Sequence, residues 1–208
     1  MSDKARLYLI TPVVSDPEAF APRLAAACAA GDVAALLLRL APADERTLIR
    51  RVKALAPVAQ QHDVAVLVDA PPVVASRGGA DGAHLHAPDA ETIGEAVSAL
   101  QPERIVGVSG LRLRHDAMAA GEANVDYLMF GDPAGGGDFE TTREWAQWWA
   151  TLFATPCVAC AGAPEEVGPL AATGAEFVAL GHWAFEGDVT ASVRAALQTI
   201  AETEVPAA

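Results

Sequence analysis

The feature that most constrains the fold is a regular alternation of short apolar runs with longer segments of helical periodicity. The runs are rich in Val, Ile and Leu, and they lack the strict in-and-out alternation of strands that face water on one side. Such runs are typical of parallel strands that helices cover from the outside. Eight of them occur, at residues 6–10, 34–39, 64–68, 82–85, 105–109, 127–131, 157–160 and 177–180.

The segments between the runs carry apolar residues three and four positions apart, as in Leu48, Val52 and Leu55, which predicts helices. Eight strand–helix units in 208 residues leave 208/8 = 26 residues per unit, at the small end of the range for a (β/α)8 barrel. We therefore predict a single domain, residues 1–208, in which eight parallel strands close into a (β/α)8 TIM barrel and residues 201–208 form a frayed tail. An open doubly wound sheet is the competing interpretation, but it favours a glycine-rich turn after the first strand, where this chain has Thr11-Pro12.

The charge balance limits the partners of such a barrel. Lys and Arg number 14 against 27 Asp and Glu, so the formal net charge is −13 at pH 7. A field of this sign repels phosphate backbones and anionic lipids, which argues against general nucleic-acid or membrane-surface binding. The apolar runs are far shorter than the roughly 20 residues of a membrane span, and the first residues lack the order of a signal peptide. We therefore expect a cytoplasmic protein.

The cysteines permit two interpretations. Cys157-x-x-Cys160 has the spacing of a redox or zinc motif. The pair lies in a short apolar run, however, and a strand places side chains three residues apart on opposite faces. Together with Cys28 the count is odd, so the structural interpretation is favoured over a disulfide framework.

One segment is unusually aromatic. Trp145, Trp148, Trp149 and Phe153 recur at helical spacing, which predicts a stripe that packs on the barrel. Partial exposure of so large a stripe would point to a homo-oligomer.

Polar groups gather where the apolar runs end. In (β/α)8 barrels the reactive side chains come from the carboxyl ends of the strands, because those ends converge on one open face. A strand has to end in some polar residue, so each group alone has a trivial explanation, whereas several at one rim favour a ligand site. The candidates are Thr11, Arg39, Asp69, His84, His86, Asp89, Ser109, Asp132, Cys160, Gly162, Gly181 and His182.

The last two strand–helix loops are candidates for binding a phosphate group. In these barrels the backbone N–H groups of such loops often hold phosphate, aided by a helix N-terminus. Gly162 allows close approach of the main chain, Pro164 suits the first turn of a helix, and Gly181 with His182 forms the last loop. The alternative is that Gly162 only permits a tight turn.

Several motifs follow one another along nearly the whole chain. The most telling are Ala80-Asp-Gly-Ala-His-Leu85, followed four residues later by Asp89, and Gly107-Val-Ser109. This order resembles the thiamine phosphate synthase family, which also includes thiazole tautomerases. Members of the family are (β/α)8 barrels that join a pyrimidine pyrophosphate to a thiazole phosphate and release pyrophosphate with Mg²⁺.

The resemblance implies roles for the candidate residues. Arg39 would hold the pyrophosphate, Asp89 would bind Mg²⁺, and Ser109 would donate a hydrogen bond to the leaving group. The partner would be a small phosphorylated heterocycle. The remaining substrate or phosphate-binding residues would be Thr11, Asp69, His84, Gly162, Gly181 and His182.

The chain departs from the family pattern at several of its positions. Leu37 stands where glutamine is usual, Ala41 where a lysine is usual, and Ala70 replaces the first metal-binding aspartate. Leu111 falls in a usual Thr-His pair, and the loop 132–138 contains no lysine. A pyrophosphate carries about three negative charges, so two missing lysines remove much of the expected cationic environment. His84, His86 and His182 would compensate only if they were protonated.

Two alternatives to the synthase therefore remain open. A divergent member of the family would bind or isomerise a phosphorylated heterocycle, with Asp132 as the base in the place of a tautomerase histidine. A non-catalytic ligand-binding barrel is the other. Asp132-Pro133 also has the composition of an ordinary turn.

Overall fold

A computed structural model describes residues 4–135 and 137–205, and strands and helices alternate along all of this length. The strands are β1 Arg6–Ile10, β2 Val33–Leu38, β3 Ala65–Val68, β4 Gly82–His86, β5 Ile105–Ser109, β6 Tyr127–Phe130, β7 Cys157–Ala161 and β8 Phe177–Leu180. The helices are α1 Pro17–Cys28, α2 Glu45–Gln60, α3 Pro72–Gly78, α4 Ala90–Leu100, α5 Arg114–Glu122, α6 Phe139–Leu152, α7 Val167–Ala171 and α8 Val189–Glu202. Short 3₁₀ helices at Pro164–Glu166 and His182–Phe185 follow β7 and β8.

The eight strands form a closed parallel sheet. Each strand pairs with the next in the sequence, and β8 returns to pair with β1, with Leu7 beside Val178. The predicted (β/α)8 barrel is confirmed and the open doubly wound sheet is wrong. Predicted and observed strand ends agree within one residue. Helix α8 includes the first two residues of the predicted frayed tail, and residues 206–208 of that tail lie outside the described residues.

The core has two compartments. One fills the barrel interior with side chains such as Tyr8, Leu37 and Met129, and the other lies between the strands and the surrounding helices. Cys157 belongs to the outer compartment and Cys160 to the inner one, so their side chains do lie on opposite faces of β7. Both are buried free thiols, which confirms the structural interpretation of the pair.

Aspartates set the start of most long helices. Each accepts a hydrogen bond from a backbone N–H two or three residues on, which satisfies a donor that the helix itself leaves unpaired. In three cases that residue is a threonine three positions later, so the cap is an Asp-x-x-Thr sequence. The capping residues are Asp16, Asp44, Asp89, Asp138 and Asp188.

The aromatic stripe of α6 packs on the barrel as predicted. Trp149 is buried, stacks on Phe153 with ring centroids 4.0 Å apart, and donates its indole N–H to the Thr155 carbonyl. Trp145 and Trp148 are half-buried, and Arg114 lies 4.8 Å from the centre of the Trp148 ring. The homo-oligomer stays a prediction. No helix in the described part of the chain is long and apolar enough to cross a membrane.

Candidate functional site

The loops at the carboxyl ends of the strands meet over one mouth of the barrel. Arg39 follows β2, and its Nη1 reaches across the barrel to donate to the Pro133 carbonyl, 3.1 Å away, in the loop after β6. A Cβ built on Gly135 in the same loop would lie 3.2 Å from the His182 ring that follows β8. Loops from β2, β6 and β8 therefore share one site, as the convergence of strand ends predicts.

Arg39 is held firmly at this mouth. The hydroxyl oxygen of Thr11 accepts its backbone N–H at 3.0 Å, and its side chain is only 16% exposed. Its Nε lies 4.0 Å from Asp69 and has no hydrogen-bond partner among the described residues, although it is buried. A buried N–H without an acceptor is costly, so an anionic ligand that accepted it would be stabilised.

Asp69 lies at the edge of the same site. Partial burial raises the pKa of its carboxyl, while the nearby guanidinium of Arg39 and the imidazole of His86 act in the opposite direction. Thr11 lies in the interior, where it fixes the Arg39 backbone through its Oγ. Arg39 is thus the cation around which these predicted residues are arranged.

A chain of hydrogen bonds runs from the barrel interior toward the mouth. The Tyr8 and Tyr127 hydroxyls lie 3.0 Å apart, and the Tyr127 hydroxyl lies 2.7 Å from Nδ1 of His84. Nε2 of His84 lies 2.8 Å from Oγ of Ser109, which is also 3.1 Å from Nδ1 of His86. The first four members are buried and His86 is exposed, so these hydrogen bonds connect the core of the barrel to its mouth.

The environment of His84 keeps its ring neutral. Burial, followed by the nearby imidazole of His86, lowers the pKa of His84 from its usual value of 6.5 to about 3. Both ring nitrogens are bonded within the protein, which leaves neither free for a phosphate oxygen. In this structure His84 is connected to the site through Ser109 and stays a prediction as a residue that contacts the ligand directly.

This shift predicts an acid-sensitive contribution to stability. Below about pH 6.5 the unfolded chain binds a proton at His84 and the folded protein does not, so stability that is present above that pH is lost as the pH falls toward about 3. We expect the free energy of unfolding to fall by about 2 kcal/mol less between pH 7 and pH 5 in His84→Asn than in the parent. Urea denaturation at the two pH values measures it. His62→Asn, at an exposed histidine, is the control, and an unchanged pH dependence in His84→Asn would contradict the prediction.

In the loops after β7 and β8, which the sequence predicts to hold a phosphate, two backbone N–H groups are already engaged within the protein. The Gly162 N–H donates to a carboxylate oxygen of Glu166 at 2.6 Å, and the Gly181 N–H donates to the Ala161 carbonyl at 3.1 Å. His182 begins a 3₁₀ helix, whose first N–H groups have no carbonyl partner within the helix. A phosphate would therefore meet His182 directly and would have to displace Glu166 to reach Gly162.

Two predicted carboxylates have local structural roles. Oδ1 of Asp89 accepts the Thr92 N–H at 2.8 Å as the cap of α4, and the Thr92 side chain, followed by this backbone N–H, lowers the pKa of the exposed Asp89 carboxyl. Oδ1 of Asp132 accepts the Ala134 N–H at 2.7 Å, which forms the turn that its sequence also predicts. In each carboxylate the second oxygen does not accept this backbone N–H.

A cleft of about 300 Å³ opens beside the mouth, between the loops after β5 and β6. Phe130 and Trp145 supply aromatic walls, and Arg112 and Asp132 supply charged groups at its edge. Its volume and mixed lining suit a small heterocycle.

Sequence reasoning missed three residues of this site. Tyr8 and Tyr127 are hidden within apolar runs, and Glu166 lies in a short acidic segment with no motif of its own. The composition contains one signal for the tyrosines: the chain has only two, and each lies in a predicted strand. In the structure both hydroxyls lie in the barrel interior.

The fold and the site define a (β/α)8 barrel protein whose candidate functional site lies at the carboxyl ends of its strands. Residues 7–182 match the family model described as thiamine monophosphate synthase. A thiamine-phosphate synthase of Rhodospirillum centenum is 43% identical over 185 residues, which cover 86% of this chain and 89% of that protein. One of Erythrobacter litoralis is 38% identical over 205 residues, covering 94% and 95%. The chain therefore belongs to the thiamine monophosphate synthase family.

Solved structures agree on the fold. Thiamine phosphate pyrophosphorylase from Pyrococcus furiosus superposes with a TM-score of 0.77 over 97% of this chain and 98% of that chain, at 23% identity. A geranylgeranylglyceryl phosphate synthase from Thermoplasma acidophilum gives a TM-score of 0.66 at 18% identity, covering 96% and 94%. At such identities the likeness describes the barrel alone.

Proposed function

We propose that this protein is a thiamine-phosphate synthase, a transferase that joins a pyrimidine pyrophosphate to a thiazole phosphate. Family membership and the relatives named above support the proposal. The observation that carries it is the half-buried Arg39 guanidinium at the mouth, whose buried Nε has no hydrogen-bond partner among residues 4–135 and 137–205. That geometry favours a ligand with several anionic oxygens, as in pyrophosphate.

The reaction breaks the bond between the pyrimidine methylene carbon and the pyrophosphate oxygen and forms a bond from that carbon to the thiazole nitrogen. Negative charge grows on the departing pyrophosphate as the bond breaks, so donors at that oxygen stabilise the transition state more than the substrate. Arg39 supplies a fixed positive charge there, and the Ser109 hydroxyl supplies a neutral donor. The cleft beside Phe130 and Trp145 has room for a heterocycle next to this mouth.

A magnesium ion is part of the proposal. No group of three or more His, Cys, Asp or Glu residues in the described ranges can hold a metal by itself. Mg²⁺ commonly binds through one or two carboxylates together with substrate phosphates, and one carboxylate oxygen of Asp89 does not accept the Thr92 N–H. Asp89 would therefore share the ion with the pyrophosphate, and the ion would neutralise charge on the leaving group.

The direct test supplies both substrates and Mg²⁺ to the purified protein and follows thiamine phosphate and pyrophosphate in equal amounts. Formation of both in proportion to enzyme supports the synthase. Absence of product above background, in protein that is folded by circular dichroism, rejects it. Isomerisation of the thiazole phosphate alone would instead support the alternative with Asp132 as base.

The metal role of Asp89 can be separated from its capping role. Asn caps a helix about as well as Asp, so Asp89→Asn keeps the start of α4 while removing the charge. We expect the Mg²⁺ concentration for half-maximal rate to rise at least tenfold because the metal binds more weakly, with an unchanged Tm. Asp44→Asn is the matched control because Asp44 caps α2 through the same Asp-x-x-Thr sequence. Equal metal requirements in the two variants would reject a role in metal binding.

The contact between Glu166 and Gly162 leads to a prediction about phosphate binding in the loop after β7. Its carboxylate occupies the Gly162 N–H and repels a second anion, so Glu166→Ala should bind inorganic phosphate about tenfold more tightly than the parent. Isothermal titration calorimetry measures the Kd. Glu165→Ala removes the same charge from the exposed neighbouring residue and should change the Kd by less than threefold. Equal effects of the two substitutions would show a general charge effect instead of competition at Gly162.

We further propose a cytoplasmic location and small phosphorylated heterocycles as the substrates. The buried free thiols of Cys28, Cys157 and Cys160 suit a reducing compartment. The net charge of −13 also disfavours nucleic acid as a partner.

A further inference from the structure

The buried chain of hydrogen bonds beneath the mouth has a direction. Neutral His84 carries one proton and so donates at one ring nitrogen and accepts at the other. Its Nδ1 faces the Tyr127 hydroxyl at 2.7 Å and its Nε2 faces Ser109 at 2.8 Å. The two possible tautomers therefore give the whole chain two opposite polarities.

In the first polarity every proton has an acceptor. Tyr8 donates to Tyr127, Tyr127 donates to Nδ1 of His84, and Nε2–H of His84 donates to Oγ of Ser109. The Ser109 proton is then free to point outward, to Nδ1 of His86 at 3.1 Å or to a ligand in its place.

In the second polarity the Ser109 proton is directed into the core. Ser109 donates to Nε2 of His84, Nδ1–H donates to Tyr127, and Tyr127 donates to Tyr8. The Tyr8 proton then lacks an acceptor among the described residues, because the only partner of its hydroxyl there is Tyr127. Tyr8 is 2% exposed, so an unsatisfied donor at this place is unfavourable.

We propose that Tyr127, supported by Tyr8, is a positioning residue that fixes His84 as the Nε2–H tautomer and thereby makes Ser109 a hydrogen-bond donor toward the ligand. The proposal rests on the proposed function only for the identity of that ligand, pyrophosphate. Burial raises the pKa of both tyrosines above the usual value, so both keep their protons at neutral pH. Neither tyrosine touches the reacting atoms; both act through His84.

The first measurement reads the tautomer directly. Long-range ¹H–¹⁵N NMR on the histidine-labelled protein distinguishes a protonated Nε2 from a protonated Nδ1, and His84→Asn assigns the signal. We expect Nε2–H, and an Nδ1–H signal for His84 overturns the proposal. This measurement needs no substrate, so its result is independent of whether the synthase reaction occurs.

The second measurement separates positioning from mere packing. Tyr127→Phe keeps the ring that fills the barrel and should weaken inorganic pyrophosphate binding and lower kcat, each by about tenfold, the effect of one lost hydrogen bond to an anion. In a Ser109→Ala background the same substitution should change either quantity by less than twofold, because its effect passes through Ser109. Equal effects in the two backgrounds would assign Tyr127 a structural role and overturn the proposal. If the reaction is absent, pyrophosphate affinity alone decides.

Discussion

Replacing Arg39 with alanine should lower kcat/KM for thiamine phosphate formation by about 100-fold, which corresponds to about 3 kcal/mol of lost transition-state stabilisation. The side chain is only 16% exposed at the mouth, and the usual lysines at position 41 and in the loop after β6 are absent. Arg112, at the edge of the neighbouring cleft, is exposed, so we expect it to replace little of this charge. Steady-state kinetics with both substrates, together with the Kd for inorganic pyrophosphate, measures the loss.

Two further variants separate charge from shape at this position. Arg39→Lys keeps the charge but loses the planar fork that binds Pro133 and a ligand oxygen together, so it should recover only part of the activity. Arg77→Ala removes an exposed arginine that pairs with Glu45 on the helical surface, and it should leave kcat/KM within twofold. Activity of Arg39→Ala within threefold of the parent would remove Arg39 from the mechanism.

The barrel itself was predictable because its physical causes are local. A parallel strand covered on both faces has to be apolar along its whole length, so the eight runs stand out and their ends fall within one residue of those observed. The opposite burial of Cys157 and Cys160 follows from strand geometry in the same way. These features depend on short stretches of sequence and on the pleat, and not on distant contacts.

The hydrogen-bond pattern of the site was not predictable, because it depends on which residues the closed sheet brings together. Tyr8 and Tyr127 are 119 residues apart in the sequence, and their apolar surroundings hide their hydroxyls. Likewise the sequence contains no sign that Glu166 would turn back onto Gly162. The sequence predicts that His84 contacts the ligand. In the structure His84 is buried, and Ser109, to which it is hydrogen-bonded, lies between it and the mouth.

The capping role of Asp89 lies between the predictable barrel and the unpredictable hydrogen-bond pattern. Asp44, Asp89 and Asp138 each precede a threonine by three positions, and each accepts the N–H of that threonine. The repeated Asp-x-x-Thr pattern could have been interpreted from the sequence as a helix start. A residue that matches a family's metal ligand can therefore also have a structural reason to be present, which is why its test needs the Asp44 control.

Gly107 makes the prediction with the largest effect on stability. It lies beside Tyr127 in the pairing of β5 with β6, and a Cβ at this position would overlap the Tyr127 ring. Gly107→Ala should therefore force this ring out of the barrel, at a cost of about 3 kcal/mol in the free energy of unfolding, the upper part of the usual range for overpacking. The displaced hydroxyl would also leave Nδ1 of His84, so pyrophosphate binding should weaken with it.

The matched control for this substitution is another glycine. A Cβ at Gly94, on α4, would meet no atom within 4 Å, so Gly94→Ala should stabilise the protein by about 0.5–1 kcal/mol through helix propensity. Urea denaturation compares the two variants, and the ¹⁵N signal of His84 reports the ring displacement in Gly107→Ala. A Gly107→Ala protein with parental stability and an unchanged His84 signal would show that the barrel interior can accommodate the methyl group without moving Tyr127. Ser109 lies on the same strand as Gly107. We therefore expect Gly107→Ala to disturb both the packing of β5 and the direction of the hydrogen bonds between Tyr127, His84 and Ser109.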